Sequence, residues 1–370
     1  MATFYPAPAP PPSEDVVATT VTADQVTADE VYAKVNEKTI LAVATGDGTT
    51  YAAFSSDGIT WTEALMPDGS QAIDHGAAYG GGKFVVISRG KNTAAITTDG
   101  TNWTEGTLPG DERMWEAIAY GDGKFVAVAR GVDKAAYSTD GVTWSEGDLP
   151  AVKNWNTVVY GGGVFITTAQ SNSSGAYSTD GITWVSRSLN GPNNMDNVAF
   201  GQLSADLVPA WASGGRFVFL DRIRYRYTDI IESTGLPTSF NSGFHSDADL
   251  DMNWTCVAYG ADKFVAIARS PYGSSAVTDV AIYSADAITW TQTTMPVAAN
   301  WRWIEYFDGK FVAFDDGDVA GGSNVGAYST DGITWTAMTM PSTQKWWRAA
   351  DGELEKSTNL VSFIESLKTP

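Results

Sequence analysis

From Lys38 onward the chain reads as short runs in which apolar and polar positions alternate, separated by glycine-rich or Asp-Gly dipeptides. The fullest unit starts at Trp115 and runs WEAIAYGDGKFVAVARG, then AAYSTDGVTWSEGDLP. Its period of two predicts four strands: 118–120 and 125–129 joined through Gly-Asp-Gly, then 135–138 and 143–146 joined through Asp-Gly. Further units open at Trp155, Met195, Trp254 and Trp301, and an earlier one opens at His75.

The second hairpin of each unit carries an almost constant phrase. AYSTDGITW stands at 176–184 and recurs letter for letter at 327–335, and close variants end at Trp61, Trp103, Trp144 and Trp290. In such a hairpin Asp-Gly supplies a positive φ, while short Asp and Ser side chains bond the turn's own amides. Asp57, Asp99, Asp140, Asp180, Asp286 and Asp331 are therefore expected to be structural turn residues. The tryptophan that follows is expected to bury its ring against the neighbouring unit, because a large rigid apolar group recurs at one place in each repeat.

Trp61, Trp103, Trp144 and Trp184 are spaced by 42, 41 and 40 residues, and Trp290 to Trp335 is 45. The 106 residues from Trp184 to Trp290 hold two units, one enlarged and without its tryptophan, where Phe240 is the nearest aromatic. Four strands in roughly 40 to 45 residues is the period of a propeller blade. The expected fold is thus all-β, a seven-bladed β-propeller of four-stranded antiparallel blades over 38–351, preceded by an extended proline-rich arm over 1–37. Residues 352–370 are expected to close the fold or to dock. Two routes complete the first blade: Trp346 or Trp347 opens an inner strand from the C-terminal side, which we favour, or 31–35 supplies the strand.

Formal charge is −20, spread along the sequence, so the surface is expected to be acidic and solvated. That disfavours nucleic acid and anionic membranes as partners. Cys256 is the single cysteine, so neither an intramolecular disulfide nor a cysteine metal framework is expected, and its setting in TCVAYG reads as core. Neither His75 nor His245 has metal-type spacing, and no metal or other cofactor is expected. Asp315-Asp316-Gly317-Asp318 offers oxygen ligands but matches no calcium loop, and reads as solvated loop. The sequence carries no signal for secretion or membrane insertion.

The hairpin phrase resembles the Asp-box, or BNR, repeats of sialidase-like β-propellers, in the form Ser-x-Asp-Gly-x-Thr-Trp, one residue shorter than the usual motif. Together with the YGxGKFVA-like hairpin it resembles propellers of bacteriophage virion and tail-associated proteins and of some bacterial surface proteins. The resemblance covers about 38–351 and implies the fold more strongly than any activity, since this propeller hosts hydrolases, adhesins and scaffolds.

A sialidase-like site would need three arginines at unlike positions. Arg89, Arg130 and Arg269 instead fall at one equivalent place, which reads as a repeated surface or inter-blade role. The irregular unit holds DRIRYRYTD, in which Arg222, Arg224 and Arg226 share one strand face. Pairing with Asp221, Asp229 and Glu232 is one reading of them, and an anion, acidic-glycan or subunit contact is the other. Trp115, Trp155, Trp254 and Trp301, with Trp346, open their units and would recur around one end of a central channel. Packing is the first reading, and stacking on sugars or on a partner is the second.

The expected function is a non-enzymatic virion component, a tail-fibre or capsid-displayed propeller assembled in the host cytoplasm. Its N-terminal arm would tether it to other virion proteins, and its loops would meet a host-surface glycan or a neighbouring virion protein, with association of identical copies left open. The alternatives are a sialidase-like glycoside hydrolase and a bacterial assembly-factor docking platform.

Overall fold

The computed structural model describes residues 32–45, 51–67, 76–170, 174–188, 197–204, 207, 212–220, 225–231, 241–243, 251–317 and 321–359. The chain divides into a body, Asn36–Glu355, and a second unit made of Met1–Val35 and Lys356–Pro370. In the second unit only 32–35 and 356–359 are described, as strand.

Among the described residues the body is all β, without a helix. One four-stranded antiparallel sheet runs Gly76–Gly80, Lys83–Ile87, Thr93–Thr97, Thr104–Thr107. Another runs Met252–Gly260, Lys263–Pro271, Thr278–Ser284, Thr291–Ala299. A third starts at Asn197–Gln202 and ends at Asn241–Gly243, inside the enlarged unit. Two larger sheets arise where one long strand serves two repeats. Ser145–Gly161 pairs through 145–154 with Lys124–Ser138, then through 154–161 with Val164–Gln170. Thr336–Asn359 lies between Ser323–Ser329 and Tyr32–Thr45 in one sheet, so a strand from the C-terminal side completes the first repeat.

Local chemistry explains both hairpins of the unit. In the first, Gly121 pairs with Lys124, so the turn is Asp122-Gly123 alone, at φ 46° and 74°. Two positive φ values in a two-residue loop match the twist of the flanking strands. In the second, the N–H groups of Val142 and Thr143 donate to Asp140 Oδ1, each at 2.8 Å. Ser138 Oγ donates to the same carboxylate at 3.0 Å and accepts from the Gly141 N–H at 2.8 Å. Asp57, Asp180 and Asp331 repeat this arrangement, and Asp99 does so with Thr97 in place of serine. Asp286 keeps the carboxylate bonds although Ala287 stands at the glycine position, at φ 56°.

Neighbouring repeats are joined by an aromatic ring set on a glycine. Gly80, Gly121, Gly161, Gly201, Gly260 and Gly352 lie beneath Tyr120, Tyr160, Phe200, Tyr259, Tyr306 and Tyr79, so closely that an added Cβ would come within 2.0 to 2.5 Å of the ring. Each ring then tilts onto the phenylalanine of its own second strand, as in Tyr120 on Phe125 at 4.8 Å and Tyr79 on Phe84 at 4.9 Å between centroids. At one place the pair is exchanged: Phe307, buried, stands where glycine is expected, and Asp351 stands where tyrosine is expected.

The unit-opening tryptophans fill the space between consecutive sheets. Trp155 packs with Val126, Val128 and Leu149, and Trp346 packs with Val312, Phe314 and Met340. Burial of such rings is worth several kcal/mol each, on the order of 3 to 5 when truncated to alanine.

Two outcomes follow for stability, both read by chemical denaturation. Gly121→Ala should cost about 1 to 3 kcal/mol or more through overpacking against Tyr160, whereas Gly123→Ala, with open space around it, should cost only about 1 kcal/mol through its positive φ. Asp140→Ala should cost about 1 to 2 kcal/mol at neutral pH. The Thr143 amide, and after it the Val142 amide and Ser138 hydroxyl, hold the Asp140 carboxyl below its usual range against partial burial. Burial opposes ionisation of Asp99, yet Asn102 and the amides of Asn102 and Thr101 outweigh it and bring that carboxyl down to about 2. A depressed carboxyl stabilises fully above its unfolded value, near pH 4, and loses that contribution as pH falls toward 2. The difference between wild type and Asp140→Ala should therefore shrink in acid.

Candidate functional site

The first strand of a repeat is the free end of its sheet, as with Gly76–Gly80, Asn197–Gln202, Met252–Gly260 and Trp301–Phe307. A free strand edge presents unpaired backbone N–H and C=O groups. Seven such stretches, 76–79, 117–120, 157–160, 197–200, 257–259, 303–305 and 348–351, surround one cavity of about 430 Å³. Small apolar residues such as Ala77, Ala119, Val159, Ala199 and Ala258 share its wall with Tyr79, Tyr120, Tyr160, Phe200 and Tyr259 and with Thr157 and Asn197. One sector carries the charged side chains: Trp303, Glu305, Arg348 and Asp351.

Strand alternation explains why these four meet. The Asn197 side-chain oxygen accepts the Val257 N–H at 3.2 Å, and the Cys256 thiol donates to the Ile304 carbonyl at 3.5 Å, so this position of the first strand reaches toward the following repeat. Trp303 is the same position in its own strand, and Glu305, two residues on, shares its face. Asp351 occupies the place from which a tyrosine elsewhere leans back on the preceding repeat. The Trp303 indole N–H donates to Glu305 Oε2 at 3.2 Å, and the Arg348 guanidinium sits 4.5 Å from the Trp303 ring centroid. Beside them the Arg302 guanidinium stacks 3.7 Å from the Trp347 centroid.

Burial, and after it the charge of Asp351, push the Glu305 carboxyl well above its usual range, while Trp303, the Tyr306 amide and Arg348 act in the opposite direction. Asp351 is open to the cavity, yet desolvation by the surrounding protein raises it as well. The pair titrates as a unit, so the first proton leaves it more easily than the second. Burial pushes the neighbouring Cys256 thiol up to about 12, which leaves it inert as a nucleophile.

The residues singled out from the sequence lie elsewhere. The six turn aspartates hold their own hairpins and do not line the cavity. Trp115, Trp155, Trp254 and Trp301 are 0, 1, 3 and 0% exposed, with their faces enclosed between sheets, so of the two readings packing describes them and a stacking rim does not. Arg89 and Arg130 both approach Glu116 Oε1, at 3.4 and 4.0 Å, Arg89 from the preceding repeat and Arg130 from the strand paired with that of Glu116. Arg269 acts on Asp316, whose carboxyl burial raises and Arg269 lowers. Asp315 and Asp316 are buried rather than solvated, with Asp315 Oδ1 accepting the Gly317 N–H at 2.9 Å, and this too departs from the expectation. Arg222 and Arg224, like His75, His245 and Asp318, lie outside the described residues. Arg226 is placed by its backbone in the strand Tyr225–Ile231, opposite Phe219, and its side chain is outside the description. Among the described residues no cluster of three or more metal-ligating side chains occurs.

The polar sector was missed because its four residues sit in units that otherwise keep the repeat. The signal is an alignment of first strands, in which Glu305 replaces alanine or valine and Asp351 replaces tyrosine or phenylalanine.

No family model matches the chain, and no curated protein matches it. Solved structures match in fold. A virginiamycin B lyase from Staphylococcus aureus aligns at a TM-score of 0.58 and 12% identity, over 75% of this chain and 88% of that one. YCF48 bound to a D1 peptide aligns at 0.53 and 13%, over 82% and 88%. The WD40 β-propeller domain of Doa1 aligns at 0.52 and 10%, over 85% and 90%. The chain thus has the fold of β-propeller proteins.

A carboxyl raised in the folded state destabilises that state wherever it must ionise, so stability falls as pH rises from its unfolded value toward its folded one. Glu305→Gln should therefore leave the thermal midpoint nearly unchanged at pH 5 and raise it at pH 9. An equal shift at both pH values would contradict the raised carboxyl.

Proposed function

We propose that this protein is a non-catalytic recognition module: a seven-bladed β-propeller displayed on a bacteriophage virion and attaching to a host-surface glycan or to a neighbouring virion protein. The blade count is supported by the seven wall stretches of the cavity and by the aromatic-on-glycine contacts, among them Gly352 beneath Tyr79. The pairing of Thr336–Asn359 beside Tyr32–Thr45 supports it further.

The observation that carries the recognition reading is the cavity wall. It combines small apolar residues and tyrosines with one charged sector whose members already hold one another in place, Trp303 by its bond to Glu305 and Arg348 by stacking on Trp303. Preorganised contacts of this kind favour binding. The virion setting rests on the hairpin resemblance and on the proline-rich arm 1–37 as a tether. A sialidase-like hydrolase is the second reading, favoured by two carboxyl groups, Glu305 and Asp351, at one cavity. Against it, Arg348 is the one arginine in the cavity wall among the described residues.

Deleting residues 1–31, which stops short of the strand Tyr32–Thr45, should abolish incorporation into phage particles while leaving the thermal midpoint of the body unchanged. Normal incorporation of the truncated chain would remove the tether. A screen on sialosides and neutral glycosides should show no turnover, and turnover lost in Glu305→Gln would establish the hydrolase instead.

A further inference from the structure

The cavity combines two surfaces that suit different ends of one ligand. Ala77, Ala119, Val159, Ala199 and Ala258 offer methyl groups and short branches, which match an alkyl stem. Glu305 and Asp351 line the same cavity, and the Glu305 carboxyl feels the charges of Asp351 and of Arg348. The two carboxylates outnumber the guanidinium, and a formal charge of −20 on the whole chain adds a field that concentrates cations in a low-dielectric cleft. An anionic ligand would meet both carboxylates. A volume of about 430 Å³ admits a small molecule or one long side chain.

We propose that the polar sector of this cavity, Glu305 and Asp351 beside Trp303, binds an organic cation, an ammonium or guanidinium group on an alkyl stem, such as the end of a lysine or arginine side chain entering from a partner. The stem lies along the alanine and valine wall and the charged head sits between the carboxylates, the division that long cationic side chains adopt at apolar surfaces. Arg348 over Trp303 and Arg302 over Trp347 show that indole rings here already accommodate guanidinium groups. This site rests on the cavity alone and not on the virion reading, so the two fail separately.

Binding requires both carboxylates ionised, which makes it proton-linked. The other ionisable groups around the sector are Arg348, Arg302, Cys256, Tyr79 and Glu353. Burial raises both the Cys256 thiol and the Tyr79 hydroxyl, so neither supplies the linkage at neutral pH.

The test is calorimetric titration of the full chain with n-butylamine and n-butylguanidine, with n-butanol and butyrate as neutral and anionic controls, between pH 6 and pH 9. Saturable binding of the two cations is expected, tighter as pH rises, with no binding of butanol or butyrate. Glu305→Gln and Asp351→Asn should each weaken it by about tenfold or more. If Glu305→Gln fails to fold, Asp351→Asn carries the test, because Asp351 is exposed to the cavity. The proposal is overturned if neither cation binds, if butyrate binds as well as butylamine, or if the two variants bind like wild type. Calcium binding tightly at the same residues, and displacing butylamine, would overturn the organic-cation assignment.

Discussion

Everything else in the body depends on the contact between a glycine of one repeat and an aromatic ring of the next. Sheets that pack face to face need complementary relief, and here the absence of a Cβ on Gly80, Gly121, Gly161, Gly201, Gly260 and Gly352 makes the recess that a neighbouring ring fills. Because the glycine sits at the end of the first strand, the contact holds first strands at a common depth around the cavity. The outer hairpins, with their aspartate turns, pin the opposite edge of each sheet. Between these two fixed points the unit-opening tryptophans fill the interior.

The one exchange in this pattern explains where the chemistry lies. Phe307 takes the recess and Asp351 takes the place of the ring, so the volume is kept while the wall beside Glu305 loses an aromatic cover. That exchange falls at the boundary between the last repeat and the strand delivered from the C-terminal side. A polar sector therefore arises on the strand that lies beside Tyr32–Thr45, and the raised carboxyls of Glu305 and Asp351 follow from carboxyl groups placed in a wall built for alanine and tyrosine.

Much of the architecture is legible in the residues. Alternation and Asp-Gly spacing locate the hairpins, and a repeated tryptophan marks the space between sheets, because backbone twist and side-chain volume are local properties. The cavity was not legible in the same way. Trp115 and Trp301 recur at one place, which favoured a core over a rim without excluding it, and packing between sheets encloses their faces. Glu305 and Asp351 are 46 positions apart, and their meeting depends on the C-terminal strand lying beside Tyr32–Thr45. Asp316 reads as loop in sequence, yet it is buried and feels the charges of Arg269 and Arg302 from other strands.

The account stands on the C-terminal strand being an integral first strand of the opening repeat, since both the proposed ring and the polar sector need it there. Backbone amide hydrogen exchange on the intact chain measures this most directly. Peptides covering 346–354 should exchange as slowly as those covering 83–87, which opens only with the whole body. Exchange of 346–354 at the rate of an unstructured tail, with 83–87 still protected, would contradict it.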